Sequence, residues 1–205
     1  SGVVTFTQSG TTVIAAAGDI VSDDAVTITS GGGTTISGDV TTSASNAIQF
    51  ASATTLGGAV ALASANGAVT LALTLNGAQN LTITAGTGAV TFTGAVGGTT
   101  RLGTLNIVSA GNVIAAALTL GAFDQDAGSG TTTFGGAVNT NTSAGVVVAN
   151  TNLVVNANVT TTSSGVVTFT QSGTTVIAAA GDIVSDDAVT ITSGGGTTIS
   201  GDVTT

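Results

Sequence analysis

The sequence predicts an all-β fold, a right-handed parallel β-helix (β-solenoid) with about 20–23 residues per coil. Roughly eight such coils fill each 163-residue repeat. Three observations lead to this prediction. A long segment recurs without change, a shorter period of apolar strands runs inside the long one, and the composition is rich in Thr, Val, Ala and Gly but poor in charge.

The long repeat is exact. The segment from Ser1 to Thr42 recurs at every position from Ser164 to Thr205. Folding constraints alone do not keep surface positions identical, which indicates a recent duplication within an array. We therefore divide the chain into residues 1–163, one full repeat of a continuous solenoid, and residues 164–205, the start of the next identical repeat.

The short period is a recurring triplet of two large apolar residues around a residue that is usually polar. A second apolar series runs beside it, and a third strand per period is suggested by TTISGDV from Thr34 and TTLGGAV from Thr54. The first series begins at Val4, Val26, Ile48, Val69, Val90 and Val113, with Val167 opening the next long repeat; the second is Ile20, Val40, Val60, Leu81 and Leu105.

Alternation of apolar and polar residues indicates strands with one buried face, and Gly, Ser, Asn and Asp mark the corners between them. Near-constant spacing stacks like residues on like residues, so Val4 and Val26 should share one interior ladder and Phe6 and Ile28 the next. A left-handed solenoid would need a strict hexapeptide rhythm, which the sequence lacks. At about 4.8 Å per coil, eight coils advance roughly 38 Å.

Two irregularities are expected. Between Leu118 and Ala149 the spacing shortens, which predicts a tighter or irregular coil. Neither end of the sequence carries a polar cap, so we expect further coils or another subunit to continue the stack at both ends.

The composition argues against several functions. Net charge is −9 and Arg101 is the only Lys or Arg, so nucleic acid is a poor partner. There is no His and no Cys, and the carboxylates have no Lys or His beside them, so we expect no enzyme, no catalytic residues and no cofactor. The sequence contains no uninterrupted run of about 18 apolar residues, so it predicts no membrane-spanning helix.

Four aspartates form a candidate metal site. Asp19 and Asp39 occupy matching positions in the segments GDI and GDV and would stack on adjacent coils near Asp23 and Asp24. Clustered carboxylates suit Ca²⁺, which prefers oxygen ligands. The leading interpretation is nevertheless that these are solvated corner aspartates that keep the molecule soluble.

Three further features each allow two interpretations. Asp124 and Asp126 form a second acidic pair in the irregular region, interpreted as an exposed turn or as a lateral contact. Outward Thr pairs such as Thr5/Thr7 resemble ice-binding arrays, but strand propensity explains them better. Arg101 is expected to face solvent, with an Asp of a neighbouring chain as the alternative partner.

The segments AAGDIVSDDAVTITSGGGTTISGDVTT (Ala16 to Thr42) and LNIVSAGNVIAAALTLGA (Leu105 to Ala122) resemble the β-strand-repeat passenger regions of bacterial filamentous-haemagglutinin and autotransporter surface proteins. The resemblance covers the whole chain in style and rests on patterning. It implies an extracellular or cell-surface location. The near absence of charge and the exact long repeat depart from that family.

Together with the stacked fold, the resemblance implies as expected function a structural building block of an extracellular bacterial filament, sheath or surface layer made of stacked solenoid repeats. The expected partner is the chain itself, by axial continuation and lateral association. The alternative is the stalk of a bacterial surface adhesin that presents a binding tip, with any glycan or cell-surface ligand bound outside this sequence.

Overall fold

The computed structural model of the chain describes residues 2–205, and none of these forms a helix. The chain folds into 27 strands that pair in parallel and wind into a β-solenoid of about ten coils of about 21 residues. The predicted all-β parallel solenoid is therefore confirmed. Each coil passes over three faces, which we number in the order in which the chain visits them.

The first face is one ten-stranded parallel sheet. Each strand between its two ends pairs with the strand one coil earlier and the strand one coil later. Its strands are β1 (Val4–Gln8), β4 (Val26–Ser30), β7 (Ile48–Phe50), β10 (Val69–Leu71), β13 (Val90–Phe92), β15 (Val113–Ala115), β17 (Thr131–Phe134), β20 (Asn152–Val155), β23 (Thr174–Ile177) and β26 (Gly196–Ile199).

The second and third faces are joined in the middle of the stack by two eight-residue strands, of which the later bends around the corner between them. The second face contains β2 (Thr12–Ile14), β5 (Thr34–Ile36), β8 (Thr54–Leu56), β11 (Leu75–Asn76), a bridge at Val96, the start of β16 (Leu118–Gln125), β18 (Val138–Thr140), β21 (Val159–Thr161), β24 (Ile183–Val184) and β27 (Val203–Thr204). The third face contains β3 (Ile20–Ser22), β6 (Val40–Thr42), β9 (Val60–Ala63), β12 (Leu81–Thr84), β14 (Leu102–Ser109), the end of β16, β19 (Val146–Asn150), β22 (Val167–Gln171) and β25 (Val189–Ser193).

The interior consists of apolar ladders, as the alternating pattern predicts. On the first face Val26 pairs with Ile48, and Ile28 pairs with Phe50, so like residues stack coil upon coil. The inward side chains are almost completely buried, whereas the alternating residues between them face outward. A strand of three residues buries too little surface to be stable alone, so stability comes from the stack.

Coil length varies around the mean because the corners differ in length. From Val4 to Val113 the step between successive partners on the first face is nearly constant, but the step from Val113 to its next partner, Thr132, is clearly shorter. This is the predicted tight coil. Phe123 and Phe134 fill its interior, with ring centroids 5.2 Å apart in an edge-to-face arrangement.

The second apolar series is confirmed with one exception. Ile20 pairs with Val40, and Val60 with Leu81, but Val40 pairs with Leu62 where the spacing predicts Val60. The register therefore slips by two residues between β6 and β9. A two-residue slip keeps the same side chains inward, so the interior ladder survives it.

The strand that opens the second copy of the long repeat lies on a different face from the one that opens the first. Val4 is on the first face, whereas Val167, at the equivalent position, pairs with Val146 on the third face. The apolar series that begins at Val4 continues instead through Leu153 and Thr175. The boundary between the two copies thus falls inside a coil.

Candidate functional site: corners and outer faces

The corners of the solenoid are tied together by Asn and Asp side chains. In each case a side-chain Oδ1 accepts a hydrogen bond from a backbone N–H one coil further along, at 2.8–3.3 Å. These hydrogen bonds occupy backbone donors where the strand ladders are interrupted. The accepting residues are Asp19, Asp39, Asn66, Asn76, Asn80, Asn112, Asn152, Asn158 and Asp182.

The four aspartates of the candidate calcium site are divided between two corners. Asp19 and Asp39 do stack on adjacent coils: the Asp39 N–H donates to Asp19 Oδ1 at 2.9 Å, and the Ala61 N–H donates to Asp39 Oδ1 at 2.8 Å. Asp23 and Asp24 lie beyond strand β3, at the next corner. Within residues 2–205 no three carboxylates, imidazoles or thiols are grouped so that they could hold a metal ion. Calcium binding by these residues stays a prediction.

Asp23 belongs to the next corner, where hydrogen bonds fix the backbone of a tight turn. Its backbone carbonyl accepts from Asn46 Nδ2 at 2.5 Å, and the Asp24 N–H donates to Ser22 Oγ at 3.1 Å. Asn46 also donates to the Ser43 carbonyl at 2.8 Å, and residues 44 and 45 adopt positive φ. These polar side chains thus stabilise a tight turn in which residues 44 and 45 adopt the left-handed backbone conformation.

Arg101 is half-buried and binds residues of two later coils. The sequence-based expectation that it faces solvent is wrong. Its guanidinium donates to the Leu120 carbonyl at 2.6 Å, and to the Asn139 carbonyl at 3.0 Å and Oδ1 at 2.7 Å. The planar fork of an arginine suits several acceptors at once. Nothing in the sequence signals this contact, because two of the acceptors are backbone atoms of later coils.

The acidic pair in the irregular region has an unusual environment. Asp124 projects outward on the third face, in register with Asn106 on one side and Val147 on the other. Burial, and secondly the negative charge of Asp126, raise the pKa of Asp124 above its ordinary value. Neighbouring Asn106 has a buried Oδ1 without a hydrogen-bond partner.

A shallow groove of about 380 Å³ runs along the corner next to this pair. Its lining is mostly small and neutral side chains, and Asp126 is the one ionisable residue among them. Asn150 and Gln171 also border the groove, and both belong to the buried polar interior of that corner.

Hydroxyl and amide side chains fill the interior of two corners. Thr12, Ser30 and Ser52 are buried and hydrogen-bonded in a row, with Ser30 Oγ donating to Thr12 Oγ1 at 2.5 Å. In the tight coil Thr132 Oγ1 donates to Gln125 Oε1 at 2.7 Å, while Gln125 Nε2 has no partner. The sequence does not predict these polar rows, because Ser and Thr at strand ends do not indicate inward orientation.

The outward surface of the first face is a ladder of Thr interrupted by other residues. Thr5 pairs with Thr27 and Thr70 with Thr91, but Gln49 and Ile114 break the row. In the later coils it becomes more apolar, with Ile114 51% exposed, and Val154 and Val176 in register two and three coils on. The interruptions fit a Thr-rich β surface better than a regular ice-binding array.

No family model, curated protein or solved structure matches this chain at a significant level. In the part of the chain that the structure describes, no helix has the length and hydropathy needed to cross a membrane.

Proposed function

We propose that the chain is a structural building block of an extracellular bacterial filament, sheath or surface layer, assembled from stacked solenoid repeats. One observation carries the proposal: the second copy of the long repeat stacks directly on the first. Strand β22, which opens the second copy, pairs along all five of its residues with β19 of the first. No linker interrupts the ladder, so tandem copies can extend one continuous stack.

The interior supports the same proposal. Apolar ladders on each face continue from coil to coil across the repeat boundary, and Val146, Val167, Val148 and Phe169 are all fully buried. Long continuous ladders resist local opening, because each strand is held from both sides. That mechanical continuity is what a fibre requires of its subunit.

The composition also supports an extracellular structural role, because it offers few sites for proteolysis and oxidation. With one Arg and no Lys, the chain offers no cleavage site for a lysine-directed protease and one for an arginine-directed protease, and Arg101 is half-buried. It also lacks Met, Cys, Trp and Tyr, the residues most readily oxidised. Durability outside the cell is a reasonable consequence. The patterned resemblance to filamentous-haemagglutinin and autotransporter surface proteins agrees with this location.

Electron microscopy of the native material, labelled with an antibody raised against the purified chain, tests the proposal. We expect labelled, thin, unbranched fibres with an axial spacing of about 4.8 Å between stacked strands. Label confined to short rods that end in a globular knob would overturn the filament proposal and support the adhesin stalk. An antibody against an unrelated β-solenoid is the control for non-specific labelling.

A further inference from the structure

The same amino-acid sequence lies on different faces of the solenoid in its two copies. The segment VTFTQ is β1 on the first face in one copy and β22 on the third face in the other. The next strand moves in the same way, from the second face (β2) to the first (β23). The third strand, β3 on the third face, is replaced by β24 on the second.

The local structure of the two copies is nevertheless the same. Val4 pairs with Val26, as Val167 pairs with Val189. The Asp39 N–H donates to Asp19 Oδ1 at 2.9 Å, and the equivalent Asp202 N–H donates to Asp182 Oδ1 at 3.0 Å. The two copies thus differ by a rotation about the solenoid axis and not by a change of fold.

The rotation follows from the length of the repeat measured in coils. On the first face, seven successive pairings lead from Val4 to Leu153. Two more faces, through Val159 and then Val167, complete the long repeat. One repeat is therefore seven coils and two faces, one face short of eight coils.

We propose that the long repeat is a screw unit: each tandem copy is turned by one third of a revolution relative to the copy before it. Three copies then restore the starting orientation. At about 4.8 Å per coil, each copy advances the axis by about 37 Å, and the full period is about 110 Å. The inference rests on the proposed function only in assuming that copies follow one another in tandem.

The consequence is that every outward patch of a repeat is presented on all three sides of the stack in turn. Val13, exposed on the second face, becomes Val176 on the first, and Val21 on the third face becomes Val184 on the second. An array with whole-coil repeats would present each patch on one side only. A screw array can instead contact further copies of the chain in three directions, which suits a bundle or a layer.

Introduced cysteine pairs test the rotation in the chain itself, which has no Cys of its own. Val147 and Thr168 are in-register neighbours on the third face, at a spacing that a disulfide can span. We expect the double variant Val147→Cys with Thr168→Cys to form a disulfide in the folded chain under mild oxidation. The matched control, Val154→Cys with Thr168→Cys, joins two different faces and should stay reduced. Cross-linking of the control pair and not of the first pair overturns the proposal.

Imaging of a chain with three tandem copies tests the array directly. Cryo-electron microscopy should relate successive copies by a rotation of one third of a revolution and a rise of about 37 Å. Successive copies related by translation without rotation overturn the screw. Because single chains are imaged, this result is independent of filament formation: rotated copies in a protein whose native form is a knobbed rod would defeat the filament proposal and leave the screw intact.

A variant separates repeat length from other causes of rotation. Duplicating residues 153–158, which run from the inward Leu153 on the first face to the residue before the inward Val159 on the second, adds one face, keeps the alternation of inward and outward residues, and brings the repeat to eight whole coils. In the three-copy chain this variant should abolish the rotation between copies. An unchanged rotation in the folded variant would show that coil counting does not set the orientation. Should the variant not fold, the unaltered three-copy chain decides the proposal.

Discussion

Single Asn and Asp side chains hold successive coils of this solenoid together at the corners. Asn112 is representative: it precedes strand β15, and its Oδ1 accepts from the Thr131 N–H at 2.8 Å. The strands are only two to eight residues long, so a large share of the backbone lies in corners where ladder hydrogen bonds are interrupted. The corner side chains supply acceptors there.

Replacing Asn112 tests this role. Asn112→Ala removes the acceptor for the Thr131 N–H and should lower the free energy of unfolding by about 1 kcal/mol. Asn112→Asp keeps a side-chain oxygen at the same place and should lose less. The measurement is the urea midpoint of both variants against the unaltered chain; equal losses would show that the acceptor is unimportant.

Gly145 tests the steric demands of a corner. It has a φ of +62° between β18 and β19, and a Cβ there would overlap the Val166 backbone. We expect Gly145→Ala to destabilise the chain by about 2–4 kcal/mol. Gly10→Ala is the control, because a Cβ at Gly10 meets nothing within 4 Å. Thermal melts of the two variants should therefore differ clearly, and similar melting points would contradict this view of the corner.

Asp124 predicts a dependence of stability on pH. Its pKa in the fold is raised, chiefly by burial and also by Asp126, so the charged form destabilises the folded chain at neutral pH. That penalty disappears as pH falls through the raised pKa and below the ordinary value. Asp124→Asn should therefore be more stable than the unaltered chain at neutral pH, but not at a pH well below the ordinary carboxyl pKa.

NMR titration checks the cause of the shift at Asp124. In Asp126→Asn the pKa of Asp124 should fall towards its ordinary value but remain raised, because burial is the larger cause. An unchanged pKa in that variant would show that the charge of Asp126 has no influence.

Much at the residue scale is predictable, but Arg101 is an exception. The sequence places Asp19 and Asp39 at stacked corners, where they are found, because a GDI or GDV segment has strong turn character. It places Arg101 in solvent, whereas the side chain binds Leu120 and Asn139. The position of Arg101 depends on how three coils stack, which the residues around it do not encode.

At the scale of the strand, stability depends on inward ladders of apolar side chains. Phe92 is 1% exposed and lies in register between Leu71 and Ala115 of the adjacent coils. Its neighbour Thr91 points outward and lies in register between Thr70 and Ile114 of the same two coils. The two residues therefore separate the contribution of the core from that of the strand.

Truncation of these neighbours should have very different effects. Phe92→Ala leaves a cavity between two coils and should cost about 3–5 kcal/mol. Thr91→Ala changes an outward side chain and should stay within about 0.5 kcal/mol of the unaltered chain. Chemical denaturation followed by far-UV circular dichroism measures both; comparable losses would contradict the assignment of inward and outward sides.

The ladders of the first face are predictable because its spacing is nearly constant. From Val4 to Val113 the period changes so little that counting along the sequence places each strand beside the right neighbour. On the third face counting misses the two-residue slip at Val40 and Leu62. The corners that lead into the two strands, residues 37–39 and 57–59, contain the same number of residues, so nothing in their length signals the slip.

At the scale of the whole molecule, coil count and sequence period do not coincide. The sequence predicts roughly eight coils per repeat, and the structure has seven coils and two faces. The missing face is not visible in the sequence, because Val167 continues the apolar pattern equally well on any face. The identical segments show that the coil beneath, not the segment itself, determines the face on which a strand lies.

In a stacked solenoid, residues far apart in sequence are separated only by the number of coils between them. Thr27, Thr133 and Thr198 face outward on the first face, in the second, seventh and tenth coils. Nitroxide labels on Thr27→Cys with Thr133→Cys, and on Thr27→Cys with Thr198→Cys, measure this by double electron–electron resonance. At about 4.8 Å per coil, the stack predicts narrow distributions of the distance between labels, centred at about 24 Å for the first pair and about 38 Å for the second. Broad distributions, or distances that do not grow in proportion to five and eight coils, would contradict the stacked solenoid.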